Sequence, residues 1–382
     1  MERNRRDRGL VLKIWIVCGV LFAVFCYGLL YVMQADLMAA AQHVLSHGKT
    51  VYSPFWGAFI ITLLLSVLPL GIAYKAVVPT WAIALLYFPS CLCLALLTSV
   101  GFSREGACVL STGWWWSVPV LLFYALILNA LNRMPESPAQ KSMWRRLWLN
   151  ALLLTLFFGT VGICSNTDIR LHYELKTARC LQAEDYEGAL SVGRQSLEVS
   201  RRLTAMRCYA LSRTGQLGEC LFDYPVLYGS CGLLPSMADS VGLSAWPDVF
   251  YRYMRARPSA RLENKATQFF RQLAERRDTL VDGNLADYLL CAYLLDKNLD
   301  AFVRTLPAYY AINDSLPRSY KEALVLYTHV RMHPVLTYQN SVLQTNYSEY
   351  QAQRRKPVTD AERYKACRRL YGTTYWFYYH FQ

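Results

Sequence analysis

Asp36, His43 and His47 are the group in this 382-residue chain whose types and spacing suggest chemistry. They lie 7 and 4 positions apart, so a helix over Gln34–Ser46 runs them along one face, and two histidines at i and i+4 with a carboxylate form a donor set for a metal ion. The same stretch also reads as a short amphipathic helix at a membrane interface, with Leu37, Ala41, Val44 and Leu45 toward lipid and Gly48 ending it. On that second reading the chain needs no metal and no cofactor. Other catalytic templates are missing: the sequence contains no GxSxG elbow, P-loop, HExxH or GxGxxG. The residues therefore point away from an enzyme.

Cysteines are the second source of possible chemistry. Cys180, Cys208, Cys220, Cys231, Cys291 and Cys367 lie beyond residue 165, and an even number in an oxidising compartment invites disulfides. Cys220 and Cys231 bracket a loop containing Gly and Pro and form the candidate pair. Packed free thiols are the alternative, because no CxxC or zinc-finger spacing occurs.

The elements that would position these residues follow from hydropathy and charge. The chain is 54% apolar, with mean hydropathy +0.15 and formal charge +13. This excludes a charge-rich disordered protein. The two parts differ: residues 1–165 hold 12 Lys+Arg and 5 Asp+Glu, and residues 166–382 hold the other 28 and 22. After a basic tail (1–9), five apolar runs within 10–165 reach the roughly 20 residues that a helix needs to cross hydrocarbon. They span about 10–33, 55–74, 78–101, 113–131 and 147–165. Nine basic residues (Arg3, Arg5, Arg6, Arg8, Lys75, Arg133, Lys141, Arg145, Arg146) fall in loops on one side, against Lys49 and Arg104 on the other. Basic loops stay cytoplasmic, so the N-terminus is expected in the cytoplasm and residues 166–382 on the far side, the periplasm of a bacterial inner membrane.

Beyond residue 165 the pattern becomes amphipathic, with a period near 3.6. Helices are expected over Tyr186–Leu197, Arg202–Thr214, Leu299–Thr305, Val335–Gln344 and Asp360–Leu370, among others. Three joints share one chemistry. A helix ends at a polar residue or Gly215, a large residue (Tyr186, Leu217, Leu299) opens the next, and three positions later come Ala189, Cys220 and the bulkier Phe302. Each resembles the turn of a tetratricopeptide repeat, and the step of 31 residues from Tyr186 to Leu217 is near that repeat's 34. The expected fold is all-α: a transmembrane bundle of about five spans followed by a helical-repeat domain, whose stacked hairpins leave a concave surface that binds peptides or proteins.

Longer segments carry a family resemblance. Gly215–Phe222 with Tyr224-Pro225 and Gly232–Pro235, Leu316–Leu324, Tyr371–Tyr379 and the Ser46–Pro54 loop are similar to an uncharacterised family of Bacteroidetes inner-membrane proteins. Those proteins join N-terminal membrane helices to a C-terminal tetratricopeptide-like region. The resemblance brings no activity with it.

Seven aromatic rings run from Tyr375 to Phe381, and they cannot all face one core if the segment is simply amphipathic. Alternate rings pack inward, or the run forms a capping strand, or it docks a partner or membrane. The Arg pairs at 201–202, 276–277 and 368–369 read as solvated helix faces and not as a nucleic-acid surface. The expected role is a non-enzymatic membrane protein that scaffolds protein partners of an envelope complex, in contact with the lipid bilayer. The competing role is an accessory or catalytic subunit of an envelope enzyme or transporter acting on lipid or glycan.

Overall fold

Apolar runs with no external hydrogen-bond partner must satisfy their backbone internally, and helices do this within one segment. A computed structural model describes residues 2–76, 78–102, 108–110, 114–133, 143–235, 246–259, 262, 264–276, 283–356 and 359–382. Among these, five helical segments are long and apolar enough to cross a membrane: Val11–Met33, Pro54–Lys75, Thr80–Thr98, Trp114–Asn132 and Met143–Cys164. Gly113, Arg104 and Lys141, used above for span limits and charge, lie outside the described residues. The chain divides into two compact units, one holding Met1–Asp168 and the other beginning at Ile169.

In the first unit, α1 (Glu2–Gly28) continues through a π turn, Leu29–Met33, into α2 (Ala35–Leu45). Ile14, Cys18, Phe22, Cys26 and Leu30 recur every four residues and are all buried. They form the stripe along which α1 meets α3 (Pro54–Lys75) and α6 (Met143–Cys164). The third apolar run departs from the continuous helix expected over 78–101. It is a 3-10 stretch, Thr80–Tyr87, then α4 (Phe88–Thr98), then β1 (Val100–Phe102), which pairs antiparallel with β2 (Cys108–Leu110). Pro89 marks the boundary between the two helical pieces: it has no N–H for Leu85 O, which accepts the Phe88 N–H instead, and it sits in the first turn of α4, where that loss is tolerated. A small strand pair thus interrupts an otherwise helical architecture.

Side chains from neighbouring helices repair what the prolines break. Tyr124 Oη on α5 (Ser117–Asn132) donates to Leu85 O at 3.1 Å. Pro69 inside α3 frees Leu65 O in the same way, and Ser90 Oγ donates to it at 2.7 Å. Asn150 on α6, 1% exposed, serves the 3-10 stretch from both ends of its amide. Its Oδ1 accepts the Ala84 N–H at 2.7 Å, and its Nδ2 donates to Thr80 O at 3.0 Å and to Arg146 O at 2.8 Å.

The second unit contains α7 (Ile169–Gln182), α8 (Tyr186–Ser191), α9 (Arg201–Arg213), α10 (Leu217–Cys220), α11 (Trp246–Met254), α12 (Ala266–Arg276), α13 (Gly283–Leu295), α14 (Leu299–Thr305), α15 (Arg318–Val330), α16 (Ser341–Arg354), α17 (Asp360–Tyr371) and α18 (Tyr375–Phe381). Three of its joints, α7–α8, α9–α10 and α13–α14, have the same backbone. Glu184, Gly215 and Lys297 take positive φ (57°, 69°, 57°), and the next residue's N–H reaches back five positions, to Cys180 O, Leu211 O and Tyr293 O. This double closure satisfies the last carbonyls of the first helix in each pair. Asp185 and Asn298 then cap the second helix by accepting from Gly188 N and Ala301 N. Ala189, Leu217, Leu299 and Phe302 are all buried, and Phe302 packs its ring on Tyr320 at 5.5 Å.

Two helices differ from expectation. The helix opening at Tyr186 stops at Ser191, with Val192 extended and Gly193 at positive φ, well short of Leu197. The helix expected over Val335–Gln344 is instead α16, which starts only where Asn340 accepts the Leu343 N–H. The segment before it is held extended, with Tyr338 and Asn340 both bonded to Asp314.

The aromatic run is a helix, and four consecutive rings, Tyr375 to Tyr378, are buried. This overturns the alternate-ring expectation, because α18 is enclosed on several sides. Phe222 meets Tyr375 and Tyr378, Tyr347 and Tyr350 meet Trp376, and Tyr364 meets Phe377. Tyr375 Oη and Tyr378 Oη donate to Leu294 O and Leu295 O at the end of α13, and Trp376 Nε1 donates to Glu322 O on α15. Each buried ring is worth roughly 2–3 kcal/mol, so four approach the whole stability of a typical domain.

Asn150→Leu tests the repair in the first unit. It keeps the branched shape but removes the acceptor of the Ala84 N–H, at about 1–3 kcal/mol. The purified protein in detergent should unfold at a clearly lower temperature; an unchanged or raised midpoint would refute the role assigned to Asn150.

Candidate functional site

The first candidate triad does not assemble. Asp36 sits in the first turn of α2, and His43 lies near its end with its ring against Gly48. His47 falls beyond the helix at φ 51°, in the turn that closes it. The helix ends one turn too early to align all three, and among the described residues no group of three metal-binding side chains comes together.

The candidate disulfide is not formed either. Cys220 and Cys231 are both free thiols, and Cys231 Sγ donates to Asn264 O at 3.0 Å. Burial and the neighbouring Asp223 carboxylate push the Cys220 thiol up, so it stays protonated at neutral pH and is a poor nucleophile.

The residues around Cys220 nevertheless frame the most developed surface of the second unit. Asp223, closing the short 3-10 turn after α10, accepts from Arg318 Nη2 at 2.7 Å and lies 3.9 Å from Arg194 Nη2. Arg318 also donates to Thr373 O at 2.9 Å, and its Nε is 3.6 Å from Glu322. Two acids act as caps for helices that are not their own. Glu219 receives the Arg318 N–H at the start of α15 at 2.6 Å, where Pro317 offers no side-chain cap. Glu322 receives the Tyr375 N–H at the start of α18 at 2.7 Å. Carboxylates at these positive helix ends are favoured.

Two hollows flank this network. One is lined by Arg194, Asp223, Tyr224, Arg368, Phe377 and Gln382 among others. The other, between α8, α9 and α10, includes Glu187, Leu190, Thr214 and Gln216. They meet at Arg194, Asp223 and Tyr224. Tyr224 is fixed from both sides: its hydroxyl donates to Leu190 O at 2.9 Å, and the Arg207 guanidinium stands over its ring at 5.0 Å. Arg207 is buried and donates to Val192 O and Gly193 O, so its charge serves the wall and is not offered to a ligand. The surface presents donors, acceptors and charges of both signs beside apolar rings, which suits an extended polypeptide better than a small apolar ligand.

Sequence reading found Cys220 and Leu217 at this site through the repeated joint. It missed Asp223, Arg318 and Glu322, which gain meaning only from partners far along the chain.

A family model described as "Family of unknown function (DUF6057)" matches residues 3–285 and 254–382. No curated protein and no solved structure matches the chain.

Glu322 gives the site a pH signature. Burial is the main cause that pushes its carboxyl up to about 7, against the stabilising Tyr375 N–H and Arg318. The folded state then holds a proton that the unfolded chain has already released, so stability from this group is complete below the ordinary carboxylate range and is lost as pH rises to about 7. The loss is about 3 kcal/mol. Unfolding of the second unit, followed by denaturant titration at pH 4.5 and 8, should lose that amount, and Glu322→Gln should remove it. Equal slopes in both proteins would contradict this assignment.

Proposed function

The chain belongs to the family of unknown function DUF6057, and from that premise we propose that it is a non-enzymatic inner-membrane protein whose C-terminal unit binds a protein partner. The N-terminus lies in the cytoplasm and the C-terminal unit in the periplasm; the support is the nine basic residues on one set of loops against two on the other. The unit is tetratricopeptide-like, a reading supported by three helix pairs closed by the same turn. The observation that carries the binding role is the pair of hollows meeting at Arg194, Asp223 and Tyr224 between successive pairs. A repeat stack leaves such grooves because each unit buries only the face it shares with its neighbours.

A photo-crosslinking residue in place of Gln216, at the mouth of the groove, should trap one discrete protein adduct in intact cells. Arg194→Glu, which turns the side chain 3.9 Å from Asp223 into a like charge, should reduce that adduct at least fivefold at equal protein level. Absence of any adduct, or a yield indifferent to Arg194→Glu, would contradict the proposal.

A further inference from the structure

A different face of the second unit carries a second site. Arg213, the last residue of α9, is surrounded by three tyrosines: its Cζ lies 5.1 Å from the ring centre of Tyr186, 5.4 Å from Tyr253 and 5.9 Å from Tyr209. Its Nη1 donates to Tyr209 Oη at 3.2 Å. The cage is itself braced. Tyr209 and Tyr253 meet edge to face at 5.3 Å, the Tyr253 hydroxyl is 3.1 Å from Ser212 Oγ, and Tyr209 packs on Trp246 at 5.0 Å. A guanidinium stacked this way keeps its charge while losing the freedom that a surface arginine would give up on binding.

Arg213 borders a hollow whose wall also includes Arg252, on α11, and Glu184. Among the described residues neither Arg213 nor Arg252 forms an ion pair with a carboxylate. Arginines elsewhere in the unit do: Arg257 holds Asp248 at 2.6 Å and Arg318 holds Asp223. Arg252 also borders a second hollow with Arg255, Arg257 and Asp248, so positive charge continues past the end of α11 at Arg255. The hollow thus carries two cationic forks against one acid. A carboxylate is satisfied by one fork, whereas a phosphate presents oxygens in more than one direction and suits two forks from different helices.

We propose that the hollow framed by Tyr186, Tyr209, Arg213, Arg252 and Tyr253 binds a phosphate group, with Arg213 and Arg252 as its ligating forks and the tyrosines as its walls. A lipid headgroup and a soluble phosphate ester share this chemistry. The site is separate from the Asp223 groove and does not depend on it.

The test is isothermal titration of the full chain in non-ionic detergent with two probes, glycerol 1-phosphate and dihexanoyl-phosphatidylglycerol below its micelle concentration. Saturable binding is expected, weakened at least tenfold by Arg213→Ala. Arg252→Ala, an exposed position whose loss leaves the fold intact, should weaken it at least fivefold, and Arg331→Ala, paired with Asp300 elsewhere, should have no effect. Tenfold tighter binding of the lipid identifies a headgroup site, and equal binding a site for soluble esters; both support the proposal. No saturable binding of either probe, or affinities within twofold of the parent in both Arg213→Ala and Arg252→Ala, would overturn it.

Discussion

A carbonyl freed at a helix break or helix end, in an interior too apolar to hold water, needs a donor from somewhere else in the chain. Both units of this protein are organised around that constraint. Pro69 frees Leu65 O, which is met by Ser90, and Leu85 O, which Pro89 cannot serve, takes the Phe88 N–H and a second donor from Tyr124. In the second unit, Leu295 O is met by Tyr378, Leu190 O by Tyr224 and Val192 O by Arg207, and Tyr375 adds a second donor to Leu294 O beside the Lys297 N–H. The donors come from helices distant in sequence, so each repair is also a tertiary tie. The 27 tyrosines of the chain fit this use, because a phenol fills apolar space and carries its donor at the far end.

The same economy builds the wall of the candidate groove. Glu219 and Glu322 cap helices other than their own, Arg318 joins both to Asp223, and Tyr224 is pinned between a carbonyl and a buried guanidinium. The groove wall is therefore built from groups whose polar capacity is largely spent on the fold. What the proposed partner would meet is the rim, Arg194 and Glu187 above all.

Local pattern carried a large part of this architecture. The five long apolar segments were visible as composition, and the three joints were visible because a residue forced to positive φ, followed by a capping Asp or Asn, leaves a short local signature in Glu184-Asp185, Gly215 and Lys297-Asn298. The 3-10 stretch was not visible: Pro89 marks a break, but whether the chain unwinds or merely kinks depends on Asn150, 61 positions later. Helix α18 was not visible either. Seven aromatic residues have no helical stripe and modest helix propensity, and only enclosure by the turn after α10 and by α13, α15, α16 and α17 makes burying four neighbours in a row favourable. The His43 and His47 pair failed in the opposite way: the spacing was right, but the helix stopped at Leu45.

Removing single hydroxyls while keeping their rings isolates the constraint itself. Unfolding free energies of Tyr124→Phe, Tyr224→Phe, Tyr375→Phe and Tyr378→Phe can be compared with that of Tyr74→Phe, whose ring is 92% exposed. Tyr224→Phe and Tyr378→Phe should each cost about 1–3 kcal/mol, the penalty of a buried carbonyl left unmet, whereas Tyr124→Phe and Tyr375→Phe, whose carbonyls keep the Phe88 and Lys297 N–H, should cost less, with Tyr74→Phe close to zero. Tyr224→Phe and Tyr378→Phe variants as stable as Tyr74→Phe would contradict the account, because the ties would then be consequences of the packing and not what holds it.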